Sequence, residues 1–248
     1  MEGLILISTY FGEIHKLLEK VEKSERKTLQ NVSKKVAETI QKGGIIHLFG
    51  CGHSHILTEE VYYRAGGLVP IHPILHEPLM LHQGAIQSSK LEKTNDYAET
   101  FMHNQDIRES DLVFVISTSG RNPVPIDVAR IAKEKYKAHT IGITSIEYST
   151  SESSRHKSNK YLFEVVDTII NNHAPIGDAL LSHKNVQVNF SPSSTIVGSA
   201  ILNGIFAEAI VIMAESGFEP PVLLSGNIEG SDIHNNKIIN KYKNRIRL

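Results

Sequence analysis

The sequence predicts an α/β fold built on a parallel sheet, and three observations lead there. Five short apolar runs, at residues 45–49, 68–75, 111–117, 139–144 and 162–170, read as strands. They alternate with stretches of helical period and are bounded by glycine or polar residues, the pattern of βαβ units whose sheet is covered on both faces. Two of the runs end in glycine- and hydroxyl-rich loops that open a helix, as ligand-binding strand ends do in such sheets.

The elements follow in order. Across residues 4–42, Ile7, Tyr10, Ile14, Leu17, Leu18, Val21, Leu29, Val32, Val36 and Ile40 recur at spacings of three and four, with Glu and Lys between them. That rhythm predicts one or two amphipathic helices ending at Gly43 and Gly44. The tract is read as an N-terminal helical extension (1–42) preceding the main domain (43–248), its apolar stripe available to a second subunit. The run 45–49 leads into Gly50-Cys51-Gly52-His53-Ser54 and a helix over 56–65. The strand 111–117 leads into Ser117-Thr118-Ser119-Gly120-Arg121-Asn122 and a helix over 125–137. Residues 149–159 are polar and read as an exposed loop. Residues 193–215 are apolar almost all round and read as a buried helix or helix pair, with Ser194 or Thr195 as N-cap.

Bulk properties narrow the function classes. The 248 residues carry 40% hydrophobic and 21% charged side chains, enough for a core and too apolar for disorder. The formal net charge of −1 offers no basic excess for a nucleic-acid backbone, so nucleic acid is not expected as a partner. One cysteine, Cys51, excludes an internal disulfide framework and a four-cysteine zinc site. The first twenty residues lack a basic n-region, and no run reaches the ~18 apolar residues of a membrane span. The expectation is a cytoplasmic protein without membrane contact.

The chemistry is expected at the two loops. Glycines let a backbone approach an anion, a following helix presents free N–H groups, and hydroxyls add neutral donors. No lysine stands in a P-loop position, and His55 replaces the third glycine of a dinucleotide fingerprint. Neutral donors suit a phosphomonoester that must be released.

GCGHS and STSGRN resemble the two phosphate-binding signatures of the SIS (sugar isomerase) domain family, which includes phosphoheptose isomerase, the isomerase domain of glucosamine-6-phosphate synthase and an amino-sugar phosphate etherase. The resemblance covers roughly residues 40–215 and implies a three-layer α/β sandwich around a five-stranded parallel sheet, usually dimerised with active sites near the subunit boundary. It implies that Ser54, Ser117, Ser119 and Asn122 hold a sugar phosphate, with Gly52 in the first loop and with Thr118 and Gly120 giving backbone N–H groups. It further implies Glu60 as catalytic base, from Glu60-Val61-Tyr62-Tyr63, and His76 as the ring-opening residue, from His76-Glu77-Pro78-Leu79, where Glu77 departs from the family's glycine. No metal or cofactor is expected.

Other polar groups have plainer readings. His55 and Glu59, four apart, make a helix-surface pair rather than a metal site. Cys51 is a small residue in a tight turn. His173 and Asp178 follow the fifth strand and face the site. Glu208 is a buried, paired helix residue, held in reserve as a base. Three functions stay open: an aldose–ketose isomerase working by enediol proton transfer, an amino-sugar phosphate lyase or etherase, and a non-catalytic phosphosugar sensor. The carboxylate and histidines near the predicted site favour an enzyme.

Overall fold

The computed structural model describes residues 6–246. It opens with one long helix, α1 (Leu6–Gln41), and continues through β1 (Ile46–Gly50), α2 (Ile56–Glu60), β2 (Ile71–Pro73), α3 (Leu81–Leu91), α4 (Glu99–Met102), β3 (Leu112–Ile116), α5 (Pro123–Glu134), β4 (His139–Thr144), α6 (Ile146–Thr150), α7 (Leu162–Val165) and β5 (Thr168–Asn171). A hairpin follows, β6 (Leu181–His183) and β7 (Val186–Phe190), then α8 (Ser194–Glu215) and α9 (Ser231–Tyr242). β1 to β5 form one sheet in the order β2-β1-β3-β4-β5, every pair parallel. The three-layer α/β sandwich expected from the sequence is therefore present.

Strand alternation divides the core in two. Ile46, Leu48, Leu112, Phe114 and Ile116 face α1, α2 and α8. Phe49, Val113 and Val115 face the layer of α4, α5 and α7. The expected stripe on α1 is real, and most of it (Ile14, Leu17, Val21, Val32, Val36 and Ile40) is buried within the chain. Ile7 and Phe11, on its first turns, are 71% and 69% exposed. α8 has a mean hydropathy of 2.0 over its most apolar window, the one helix among the described residues long and apolar enough to cross a bilayer. Here Val197, Ile201, Leu202, Ile205 and Met213 join the core beside α1.

Several expectations shift. The helix after β1 is a single 3-10 turn plus the five residues of α2, not a continuous helix over 56–65. Residues 162–170 are not one strand: Glu164 accepts a hydrogen bond from the Tyr161 amide at 2.7 Å, closing the helical turn α7 before β5 begins. The polar stretch 149–159 is no free loop. His156 is only 2% exposed and bonds Asp127 at 2.9 Å, and the Arg121 guanidinium donates to the Ser153 carbonyl. Glu208 is exposed rather than buried.

Asp111, 1% exposed, ties the start of the sheet to the C-terminal segment. It accepts from the Ile45 and Arg108 amides at 2.8 Å each, from Arg245 at 2.7 Å, and pairs with His47 at 3.2 Å. Burial alone would push its carboxyl pKa up, but the hydrogen bonds from His47 and the two amides overcome this and hold it below the ordinary range. A lowered folded-state pKa means stability that is present above the unfolded value and lost as pH falls through the folded one. Asp111→Asn should cost about 3 kcal/mol at neutral pH, because it leaves Arg245 without one of its charge partners. Thermal unfolding should show that deficit shrinking as the pH is lowered.

Candidate functional site

β1 and β3 are parallel neighbours in a register that sets Gly50 opposite Ile116. Their two following loops therefore leave the sheet side by side at its carboxyl end. Between them lies a cavity of about 350 Å³, lined by Gly52, His53 and Ser54 from the first loop and Ser117, Thr118, Ser119 and Asn122 from the second. Its other wall is one face of α3, Leu81, Ala85, Ser88 and Ser89, with Glu92 just past its C-terminal end. Tyr148, midway along α6, and Ser194, at the start of α8, complete the rim.

Local backbone geometry explains the glycines. A Cβ at Gly50 would stand 2.6 Å from the Ser54 carbonyl carbon, so the first loop folds this tightly only on glycine. Gly120 has φ +57°, and a Cβ there would sit 2.5 Å from Thr144 Oγ1 and 2.6 Å from Ser149 Oγ. It does not line the cavity; it lets the second loop lie on β4 and α6. The Gly120 amide donates to Ser117 Oγ at 3.3 Å, and the Ser145 amide to the Thr118 carbonyl at 2.9 Å. α5 then opens on Pro123, whose missing N–H costs nothing at that position.

Glu92 was not expected here. Its carboxylate accepts from Asn122 Nδ2 at 2.8 Å, while Asn122 Oδ1 accepts from Arg155 Nη1 at 2.8 Å. Asn122 is thus engaged on both sides of its amide, orienting Glu92 as it lines the cavity. Burial raises the Glu92 pKa, with the Asn122 hydrogen bond and the nearby Lys93 and Arg155 charges opposing. Cys51 also touches the cavity, but burial, and then the Glu92 charge, push its thiol pKa well up. It stays protonated, a poor nucleophile.

The two residues expected to be catalytic lie elsewhere. Glu60 is bound by Arg64 of its own turn and stands 3.4 Å from Ser199 Oγ and 3.5 Å from Asn203 Nδ2 on α8. The His76 ring stacks on Phe101 at 4.4 Å and bonds the Tyr97 hydroxyl at 2.9 Å, and burial lowers its pKa. Neither lines the cavity. His55 is buried, bonds the Gly52 carbonyl at 2.5 Å and lies 3.9 Å from the exposed Glu59, so it serves the loop rather than forming the helix-surface pair expected. His173 faces α1, meeting Ser24 and Glu25. Asp178 accepts hydrogen bonds from the amides and hydroxyls of Ser193 and Ser194, so it reaches the rim only through Ser194.

A SIS domain match spans residues 9–145, more than half of the chain and both loops. The chain belongs to the SIS domain family. It is 66% identical over 241 residues to a UPF0309 protein of Geobacillus sp. strain WCH70, covering 97% of each, and 40% identical to one of Caldanaerobacter subterraneus subsp. tengcongensis, covering 98% of this chain and 99% of that one. Among solved structures, it is similar in fold to a phosphoheptose isomerase of Francisella tularensis, with TM-score 0.53 and 13% identity over 84% of this chain and 98% of that one. A phosphoheptose isomerase of Neisseria gonorrhoeae gives TM-score 0.50 and 14% identity over 84% and 97%.

Sequence reasoning placed both SIS loops but missed the α3 wall. The signal was there: Leu81, Ala85, Ser88, Ser89 and Glu92 recur at helical spacing, a polar patch extending an apolar stripe. Gly84, at φ 143°, breaks the helix near its start and obscures the period. The SIS second loop should tolerate no side chain at Gly120. Gly120→Ala should destabilise the protein by about 2 kcal/mol through positive φ and the two hydroxyl clashes, read as a lower denaturant midpoint at unchanged slope.

Proposed function

We propose that the cavity holds the phosphate of a sugar phosphate and that Glu92 moves a proton at a neighbouring sugar carbon, giving aldose–ketose isomerisation through an enediol. The observation that carries this reading is the meeting of two hydroxyl-rich loops and one half-buried carboxylate, its pKa raised by partial burial, in a single cavity. Ser54, Ser117, Ser119 and the amides of Gly52 and Thr118 are the phosphate donors in this reading; Gly120, expected among them, lies off the cavity with its amide on Ser117 Oγ, and the three-turn helix α5 directs its N-terminus towards the loop. Among the described residues no lysine or arginine lines the cavity, so in this reading the anion is bound by neutral groups and is released readily.

Glu92 is assigned the base role in place of Glu60 because it shares the cavity with the loops. A carboxylate whose pKa lies above its ordinary range is a stronger base, and a phosphate dianion beside it raises that pKa further. The step takes a proton from the carbon next to the carbonyl as the carbonyl oxygen gains one, leaves an enediol, and returns the proton to the former carbonyl carbon as the neighbouring hydroxyl gives its proton up, with no net change in composition. His53, exposed at the cavity mouth, takes the ring-opening role in place of His76. A sugar phosphate is made and consumed inside cells, which supports a cytoplasmic setting, and the exposed Ile7 and Phe11 of α1 support a homodimer.

Purified protein should catalyse solvent-deuterium incorporation into a member of a panel of aldose and ketose phosphates. Glu92→Gln should abolish that exchange while phosphate-dependent binding persists, and Glu60→Gln should remain active; the reverse pattern returns the base to Glu60. Ser119→Ala should weaken binding by ~1.5–3 kcal/mol, a charge-assisted hydrogen bond. The exchange rate should rise with pH through the deprotonation of Glu92, above the usual glutamate range. Exchange accompanied by loss of a substituent identifies the lyase reaction. Binding without exchange for any sugar phosphate identifies a sensor.

A further inference from the structure

Among the described residues the β6–β7 hairpin belongs to no larger sheet. A two-stranded ribbon alone is marginal in water, yet Val186, Gln187, Val188 and Asn189 are all exposed. The alternation of Val186, Val188 and Phe190 with Gln187 and Asn189 is that of a strand with one buried face. Val186 and Val188 remain 44% and 69% exposed, so nothing within the described residues buries it.

The root of the ribbon, by contrast, is firmly held. Asp178 gathers the amides and hydroxyls of Ser193 and Ser194, with distances from 2.5 to 3.0 Å. The Leu180 amide bonds the Ser191 carbonyl at 3.0 Å, and the Tyr10 hydroxyl bonds the Pro192 carbonyl at 2.7 Å. Asp178 and Ser191 both take positive φ, 51° and 69°, a conformation that persists only where surrounding bonds impose it. A rigid root and an uncovered apolar face describe an arm.

A seat of matching chemistry lies on the same chain. Between α1 and α8 runs a groove of about 450 Å³ with Leu18, Val21 and Leu29 on one wall and Ile201 and Ile205 on the other. Its rim carries Glu19, Glu22 and Glu208; Glu22 pairs with Arg26 and Glu19 with Lys23 and His15, while no ion pair is found for Glu208 among the described residues. The arm from residue 179 to 190 has no acidic residue, and its turn carries His183 and Lys184. In the groove floor Gly204 is exposed, and a Cβ built there meets nothing within 4 Å. Glycine weakens a helix interior, and no contact within the described residues explains it; a strand from another molecule lying across the helix would.

We propose that two copies of this chain exchange arms, the β6–β7 hairpin of each laying Val186 and Val188 into the α1–α8 groove of the other, with Lys184 beside the glutamate rim. The chain carries both halves of the contact, so a two-fold arrangement makes the exchange twice and closes as a dimer. This inference does not depend on the phosphosugar reading: Ser194 stands both on the cavity rim and at the arm's root, but the proposed contact itself uses no cavity residue.

Sedimentation at micromolar concentration should give a dimer for the wild type. Val186→Asp/Val188→Asp should raise the dimer dissociation constant by at least about 100-fold, a loss of central apolar anchors. Both residues are exposed in the single chain, so an unchanged melting profile at dilution below dimer formation verifies folding. Lys184→Glu should weaken the dimer and Glu208→Lys in the same chain should restore part of it. As an independent readout, Val188→Cys/Gly204→Cys should give a disulfide-linked dimer on mild oxidation, the native Cys51 being buried. A monomeric wild type, a dimer indifferent to the arm variants, or a cross-link confined within one chain each overturns the proposal.

Discussion

The site depends on one pairing, the parallel register of β1 against β3. Because Gly50 lies opposite Ile116, the strands end level, and the loops after them are forced to share one space at the carboxyl edge. A shift of one residue would turn every inward side chain of either strand to the other layer. The two layers differ enough to forbid that: Phe114 meets Phe206 of α8 on one side, while Phe49 stacks with Phe101 of α4 on the other. The apolar core thus fixes the register, and the register brings the two hydroxyl-rich loops together.

What fills the space between the loops follows from the second layer. α3 is joined to α5 by the Val124 amide, which donates to the Glu92 carbonyl at 3.2 Å, and by the Asn122–Glu92 side-chain bond. Asp127 then holds the turn at Asp96 and the buried His156 with its two carboxylate oxygens, at 3.0 and 2.9 Å. The polar segment around His156 is therefore a strap over the start of α5, and through Arg155 and Asn122 it bears on the carboxylate in the cavity. A carboxyl held this way, half-buried, raised in pKa and aimed by an amide, is an arrangement that suits proton transfer.

The fold was largely legible because strands buried on both faces announce themselves as continuous apolar runs, and β4 was read to the residue. The loops were legible because glycine and hydroxyl residues concentrate after such runs. Residues 162–170 misled because Leu162, Phe163 and Val165 are apolar in either conformation; a single hydrogen bond from the Tyr161 amide to Glu164 decides for a helical turn. Glu92 escaped because nothing local marks a glutamate among Lys and Ser as lining a cavity, and its environment is made by α5 and the strap, distant in sequence. Glu60 and His76 fit a motif spacing, but spacing does not reveal that Arg64 and Phe101 engage them. The hairpin of residues 181–190 was invisible as structure because its apolar face has no partner within the described residues.

A second cavity tests whether the two loops are the ligand site at all. About 600 Å³ in volume, it lies at the β2 edge of the sheet, lined by His47, His72, Asp106, Lys243 and Arg245 among others, with more charge than the cavity between the loops. The most direct measurement is a backbone amide NMR titration with the sugar phosphate that the exchange panel selects, or with inorganic phosphate alone. Shifts concentrated together at residues 52–54 and 117–122, with Glu92 following, are the result this account predicts. Shifts centred on His47 and Arg245, with the two loops silent, would contradict it.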